Sequence, residues 1–118
     1  MWRIPTGISS VLVNELIERQ IYGTGTNRYI QQEEALVAGA NVVMLAEHEV
    51  AYIEDVFTVK QHQRKGLARA LMFHALRLAQ KQGLRYCTLV AFKQAGPFYL
   101  NLGFTNIADL IFLKQRKK

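Results

Sequence analysis

From Tyr52 to Val59 the chain reads YIEDVFTV, rich in β-branched and aromatic residues, which predicts a buried strand. Lys60–Lys65 is polar and predicts a turn. Gly66 then opens the run LARALMFHALRLAQKQ. In it Leu67, Leu71, Ala75 and Leu78 share one helical face, with Ala68, Met72 and Ala79 beside them. This spacing predicts a helix to about Gln82, capped at its C-terminus by Gly83. Tyr86–Phe92, YCTLVAF, reads as a second buried strand. A helix crossing between two strands makes them parallel. Pro97 starts a short helix to Leu102 that Gly103 ends, and Asp109–Lys114, DLIFLK, reads as the last strand.

The N-terminal half is less regular. Ser9–Gln20 reads as an amphipathic helix with Leu12 and Leu16 on its apolar face. Tyr22–Asn27, YGTGTN, has the composition of a loop, and Arg28–Gly39 suits a second short helix carrying Glu33 and Glu34. Asn41–Glu47 reads as a strand. His48 and Glu49 turn it back into the strand Val50–Val59, giving an antiparallel pair. Before these strands, Trp2–Ile4 is the only further strand candidate.

The junction at Gly66 carries the candidate chemistry. Strand, basic turn, glycine and helix in that order gather unpaired backbone N–H groups at the positive end of a helix dipole. Such a site suits phosphate, and glycine lets an anion approach the backbone. Neither G-x-x-x-x-G-K-[ST] nor G-x-G-x-x-G occurs. What occurs is Gln63-x-x-Gly66-x-Ala68, followed downstream by AGPFYLNLGF from Ala95 to Phe104. The first resembles the [QR]-x-x-G-x-[GA] motif, and the second the A-x-x-[FL]-Y-x-x-x-G-F signature, of the GNAT family of N-acetyltransferases. The resemblance spans Tyr52–Phe104. It implies an α/β (α+β) fold: a mixed, mostly antiparallel sheet with a central splayed parallel strand pair and helices on both faces, in a single domain over residues 1–118 whose part before Val50 is short for the family by about one element.

The resemblance also implies the site. Gln63, Arg64, Lys65, Gly66, Leu67, Ala68 and Arg69 would hold the pyrophosphate of acetyl-CoA. Phe57, Thr58 and Val59 would line the pantetheine arm, with one N–H on the thioester carbonyl. Tyr99 matches the family's general acid. Glu54 stands where some small-amine acetyltransferases carry a glutamate base, and Asp55 is its rival, sent to the opposite face by strand alternation. Seven residues before Tyr99, where family members often have Asn, stands Phe92. The implied activity is acetyl-CoA-dependent N-acetyl transfer directly to a primary amine, small or peptidic, without a metal. The alternative is an acyl-CoA-binding accessory or regulatory domain of the same fold.

Composition narrows the class. The chain has 118 residues, half of them hydrophobic, enough for one core. No apolar run approaches the ~20 residues of a membrane span. The first residues, MWRIPTG, lack a signal-peptide pattern, and the single Cys87 suits a reducing cytosol. Cys87 reads as core rather than nucleophile, and His48, His62 and His74 lack metal-ligand spacing. The formal charge of +6 is split: residues 1–55 hold three basic and eight acidic side chains, residues 56–118 twelve basic side chains and only Asp109. An anionic cofactor fits the basic half. Nucleic acid is disfavoured, because no aromatic–basic RNA-binding signature accompanies the charge. A homodimer is compatible with the sequence, which does not specify one. Glu33, Glu34, Glu47, Glu49, Glu54 and Asp55 predict an acidic acceptor pocket and a cationic amine.

Overall fold

The computed structural model describes residues 2–3, 17, 19–111 and 113–115. Its strands are β1 (Trp2–Arg3), β2 (Ile21–Thr24), β3 (Asn27–Gln32), β4 (Ala35–Leu45), β5 (Val50–Thr58) and β6 (Tyr86–Leu89). They form one sheet in the order β1-β6-β5-β4-β3-β2. Among these strands only β5 and β6 run parallel; every other neighbouring pair is antiparallel. Among the described residues, the helices that pack with the sheet and follow β6 are α1 (Leu67–Lys81) and α2 (Gly96–Asn101). The Ser9–Gln20 helix expected from the sequence lies outside the described residues, apart from Ile17, Arg19 and Gln20.

Packing on α1 organises the sheet. Leu67, Leu71, Met72, Ala75, Leu76 and Ala79 are buried along one stripe. They meet Ile30, Ala38, Val42, Ala51, Ile53 and Cys87, which the sheet presents on one face. Burying each large aliphatic side chain contributes roughly 1.5–3 kcal/mol. Gly83, at φ +74°, closes α1 in the left-handed conformation that favours glycine.

The N-terminal half departs from expectation. Tyr22–Asn27 is not a loop: β2 and β3 form a hairpin, with Thr24 opposite Asn27. Only Gly25 and Thr26 make the turn, and Gly25 at φ +60° supplies the positive dihedral that a II′ turn needs first. Glu33 and Glu34 are not helical either. Both have positive φ, +52° and +64°, as a two-residue I′ turn requires, and Gln32 pairs with Ala35 around them. The N-terminal half therefore supplies more strands than its sequence suggests. At the other end, Asp109–Lys114 is no strand among its described residues. β1 occupies the outer edge of β6 at Tyr86 and Cys87, while Leu110, Ile111 and Leu113 stay exposed.

The Glu33–Glu34 turn generates a stability prediction. A side-chain-bearing residue in the left-handed region costs roughly 1–2 kcal/mol, and Asn-Gly is the preferred I′ pair. Replacing both, Glu33→Asn with Glu34→Gly, should stabilise the protein by about 1–2 kcal/mol, read as a higher midpoint in urea denaturation. A lowered midpoint would contradict the turn assignment.

Candidate active site

The parallel pair opens partway along. β5 and β6 pair from Val50↔Tyr86 to Ile53↔Leu89, where β6 ends. β5 continues to Thr58 with β4 alone beside it. The β6 side of Glu54–Thr58 thus faces a gap. Val59 donates its N–H to the Val37 carbonyl at 2.8 Å, which commits that amide to β4. Ladder alternation turns the N–H and C=O of Thr58 the other way, into the gap. Of Phe57, Thr58 and Val59, Thr58 therefore presents its backbone there. Phe57 instead lays its ring over Gly39, where a Cβ would come within 2.6 Å of the ring.

The loop after β5 is tied to this strand end. Gln63 donates from Nε2 to the Thr58 carbonyl at 3.1 Å. Arg64 and Gly66 both have positive φ, +64° and +80°, which curls the loop into α1. The first helical bond runs from the Ala70 N–H to the Gly66 carbonyl at 3.0 Å, so the N–H groups of Leu67, Ala68 and Arg69 precede the ladder. Among the described residues, no atom beyond the adjoining backbone lies within 4 Å of where a Gly66 Cβ would stand. The loop is open at that point, and its amides and the helix dipole suit a diphosphate. Lys65 is exposed, while the Arg69 guanidinium lies 5.5 Å from the centre of the Phe73 ring.

Glu54 sits at a bulge. Phe57 pairs with Gly39 and Glu54 with Asn41, so Asp55 and Val56 together oppose Ala40. Asp55 takes φ +54°. Strict alternation is broken there: Asp55 lines the same hollow as Asn41, the hydrogen-bond partner of Glu54. The Asn41 amide donates to Glu54 Oε1 at 2.7 Å, and the Thr26 hydroxyl donates to Asn41 Oδ1. The hollow, about 300 Å³, also includes Asn27, Tyr29, Leu36, Gly39 and Phe57.

Tyr99 lies on α2, its ring edge-on to Phe98 and Phe104 at centroid distances of 5.0 and 5.9 Å. Burial pushes its phenol above the ordinary value, so the hydroxyl keeps its proton at neutral pH. It lines a second cavity, about 620 Å³, with Thr88–Lys93 at the exit of β6 and residues 104–110. Glu54 is bonded to Asn41, which lines the first hollow, whereas Tyr99 lines the second. Phe92 is 81% exposed.

The acids do not collect into a pocket. Glu33 and Glu34 precede β4, whereas Glu47 and Glu49 follow its far end; its 11 residues separate them by on the order of 30 Å. Glu49 instead meets Arg85 at 3.6 Å, an exposed ion pair worth little. Only Glu54 and Asp55 remain near the gap. The sequence reading missed Asn41 and Thr26, whose contact with Glu54 depends on register between distant strands.

Residues 6–114 match the family model described as an acetyltransferase (GNAT) domain. No curated protein sequence matches. Among solved structures, a putative acetyltransferase of the GNAT family from Xanthomonas campestris pv. campestris is 30% identical, with a TM-score of 0.59 over 69% of this chain and 56% of that one. This chain thus spans little more than half of the Xanthomonas protein. A Trypanosoma brucei acetyltransferase matches at 21% identity and TM-score 0.66, over 75% of this chain and 68% of that one. A predicted acetyltransferase from Clostridium acetobutylicum, solved with acetyl-CoA, matches at 17% identity and TM-score 0.62, over 75% and 62% of the two chains.

Cys87 yields a simple test. It is fully enclosed between α1 and the sheet, and burial pushes its thiol up to about 12. The thiolate, the reactive form, is then scarce at neutral pH. Iodoacetamide at pH 8 should leave the native protein unmodified by mass spectrometry and alkylate it once in urea. Rapid native labelling would contradict the core placement.

Proposed function

The chain belongs to the GNAT acetyltransferase family, and on that premise we propose that it moves the acetyl group of acetyl-CoA directly to a primary amine. One observation carries the reading. The unpaired side of β5, ending at Thr58, is bound through Gln63 to an open glycine loop at the start of α1. A thioester-bearing arm and its diphosphate need those two features side by side.

The residues divide the work. Acetyl-CoA supplies the activated acetyl group. The amides of Arg64, Lys65, Gly66, Leu67, Ala68 and Arg69 hold its diphosphate, with the Lys65 and Arg69 charges nearby. The Thr58 N–H faces the acetyl carbonyl from the gap and stabilises the charge that develops there. Glu54 takes a proton from the ammonium, which frees the nitrogen lone pair. Tyr99 gives its proton to the departing sulfur as the C–N bond forms and the C–S bond breaks, and the second proton that the nitrogen sheds returns the Tyr99 phenolate to the phenol through solvent. For an acceptor arriving as ammonium, the sum releases one proton to solvent. The acceptor class is a cationic primary amine: a polyamine-like molecule, a lysine side chain or a peptide N-terminus. This rests on the single carboxylate at Glu54, because the wider acidic pocket does not form.

A second reading, an acyl-CoA-binding accessory domain, draws on Phe92, which is exposed where relatives often carry Asn. Acetyl-CoA binding without turnover of any amine would favour it.

Two substitutions test the assignment. Gly66→Asp puts a carboxylate where the diphosphate belongs, and calorimetry should read at least about a tenfold weaker Kd, a loss of ~1.4 kcal/mol. Unchanged affinity in a folded variant sinks the binding site. Tyr99→Phe removes only the hydroxyl. Because general acid–base groups contribute ~10²–10⁴-fold, kcat should fall into that range while acetyl-CoA binding holds. Near-normal kcat with chemistry rate-limiting removes Tyr99 from the mechanism.

A further inference from the structure

Register builds a polar row across four strands. Thr24 stands opposite Asn27, Asn27 opposite Asn41, and Asn41 opposite Glu54. The next row carries Tyr22, Tyr29, Gly39 and Phe57, with the two tyrosine rings stacked at 5.8 Å. These rows lie on the sheet face away from Ala38, Val42 and Ile53, the face that packs α1. At the end of the polar row, Glu54 is the first β5 residue past the last β5–β6 pair, Ile53↔Leu89.

The hydrogen bonds of this row run in one direction. An ionised carboxylate only accepts, so Asn41 must turn its NH₂ toward Glu54. Its carbonyl oxygen then points at Thr26, whose hydroxyl must donate. Thr26 is itself fixed, because its backbone carbonyl accepts the Val42 N–H at 2.8 Å. The hairpin turn is thus fastened to β4 by its backbone and to Asn41 by its side chain. Glu54 Oε1 accepts from Asn41, which sets the carboxylate plane and leaves Oε2 to the incoming amine.

We infer that Asn41, oriented by Thr26, is a positioning residue that aims the Glu54 carboxylate at the acceptor nitrogen. The inference rests on Glu54 being the base proposed above. Asn41 touches neither acetyl group nor sulfur; it acts through Glu54. A carboxylate aimed by one fixed bond keeps its free oxygen within reach of the ammonium proton, and misplacement by about 1 Å can cost 10²-fold. Its loss should therefore matter in proportion to how much proton removal the acceptor requires.

That proportion supplies the test. An alkylamine arrives as ammonium at neutral pH, whereas the hydrazide of the same carbon skeleton arrives neutral and has little need of a base. The alkylamine is the best acceptor from a panel, and both are assayed with the wild type, Asn41→Leu, Thr26→Val, Thr26→Ser and Glu54→Gln. Asn41→Leu should lower kcat for the alkylamine by roughly 10–100-fold, within the range of general-base effects, and change the hydrazide rate by less than about threefold. Thr26→Val, on an exposed turn, should show the same selectivity with a smaller loss, and Thr26→Ser should restore it. Equal losses on both acceptors would mark Asn41 as merely structural and overturn the inference. If Glu54→Gln is selectively impaired and neither Asn41→Leu nor Thr26→Val is, the base stands and the positioning role falls. If Glu54→Gln is not selectively impaired, or no alkylamine is acetylated, the functional reading fails and takes the inference with it. Acetyl-CoA affinity, measured for each variant by calorimetry, should stay within about threefold of wild type; a larger change in Asn41→Leu would also overturn the inference.

Discussion

A β-strand that keeps one neighbour and loses the other has backbone groups to spare. β5 is in that position from Glu54 onward, because β6 stops at Leu89. Exposed N–H and C=O groups at a sheet edge invite a partner. Here the edge is internal, flanked by β4, the end of β6 and the start of α1. Gln63 meets one of these groups, the Thr58 carbonyl, and so draws the glycine loop against the strand end. The rest of the site follows from that opening: the loop below it, the bulge beside it and the aromatic helix beyond it.

Burial on one face makes the opening affordable. α1 covers Ile30, Ala38, Val42, Ala51, Ile53 and Cys87 with a continuous apolar stripe. The pairs that hold β5 in the sheet lie over that stripe, so the strand is anchored before it loses β6. The opposite face carries polar and aromatic rows.

Legibility in the sequence followed the range of the forces involved. α1, its Gly66 start and its Gly83 stop were readable, because helical period and positive-φ glycines act within a few residues. β5 and β6 were readable as apolar runs, and their parallel pairing followed from the crossing helix. The β2–β3 hairpin was not. Its Gly25 turn had a loop's composition, and the second turn places two glutamates where Asn-Gly is the usual signal. Asp109–Lys114 has a strand's composition but pairs with no strand among the described residues, and composition cannot supply a neighbour. Glu54 was visible as a candidate, yet Asn41 and Thr26 were not, because their meeting depends on strand register and on a bulge at Asp55.

The short hairpin at the N-terminal side of the sheet also acts as a vernier. Thr26 reaches Asn41 only while Thr24 faces Asn27 and Asn27 faces Asn41. A strand slip of one residue would send every side chain of β3 to the other face. It would set Thr26 or Arg28 opposite Asn41 in place of Asn27 and break the present alignment of the Thr26 hydroxyl with Asn41. Turn length in a surface loop, normally the part of a protein most tolerant of insertion, here sets the geometry of the Thr26–Asn41–Glu54 contacts. Lengthening the Gly25–Thr26 turn by a single residue would mistune a carboxylate two strands away without touching it.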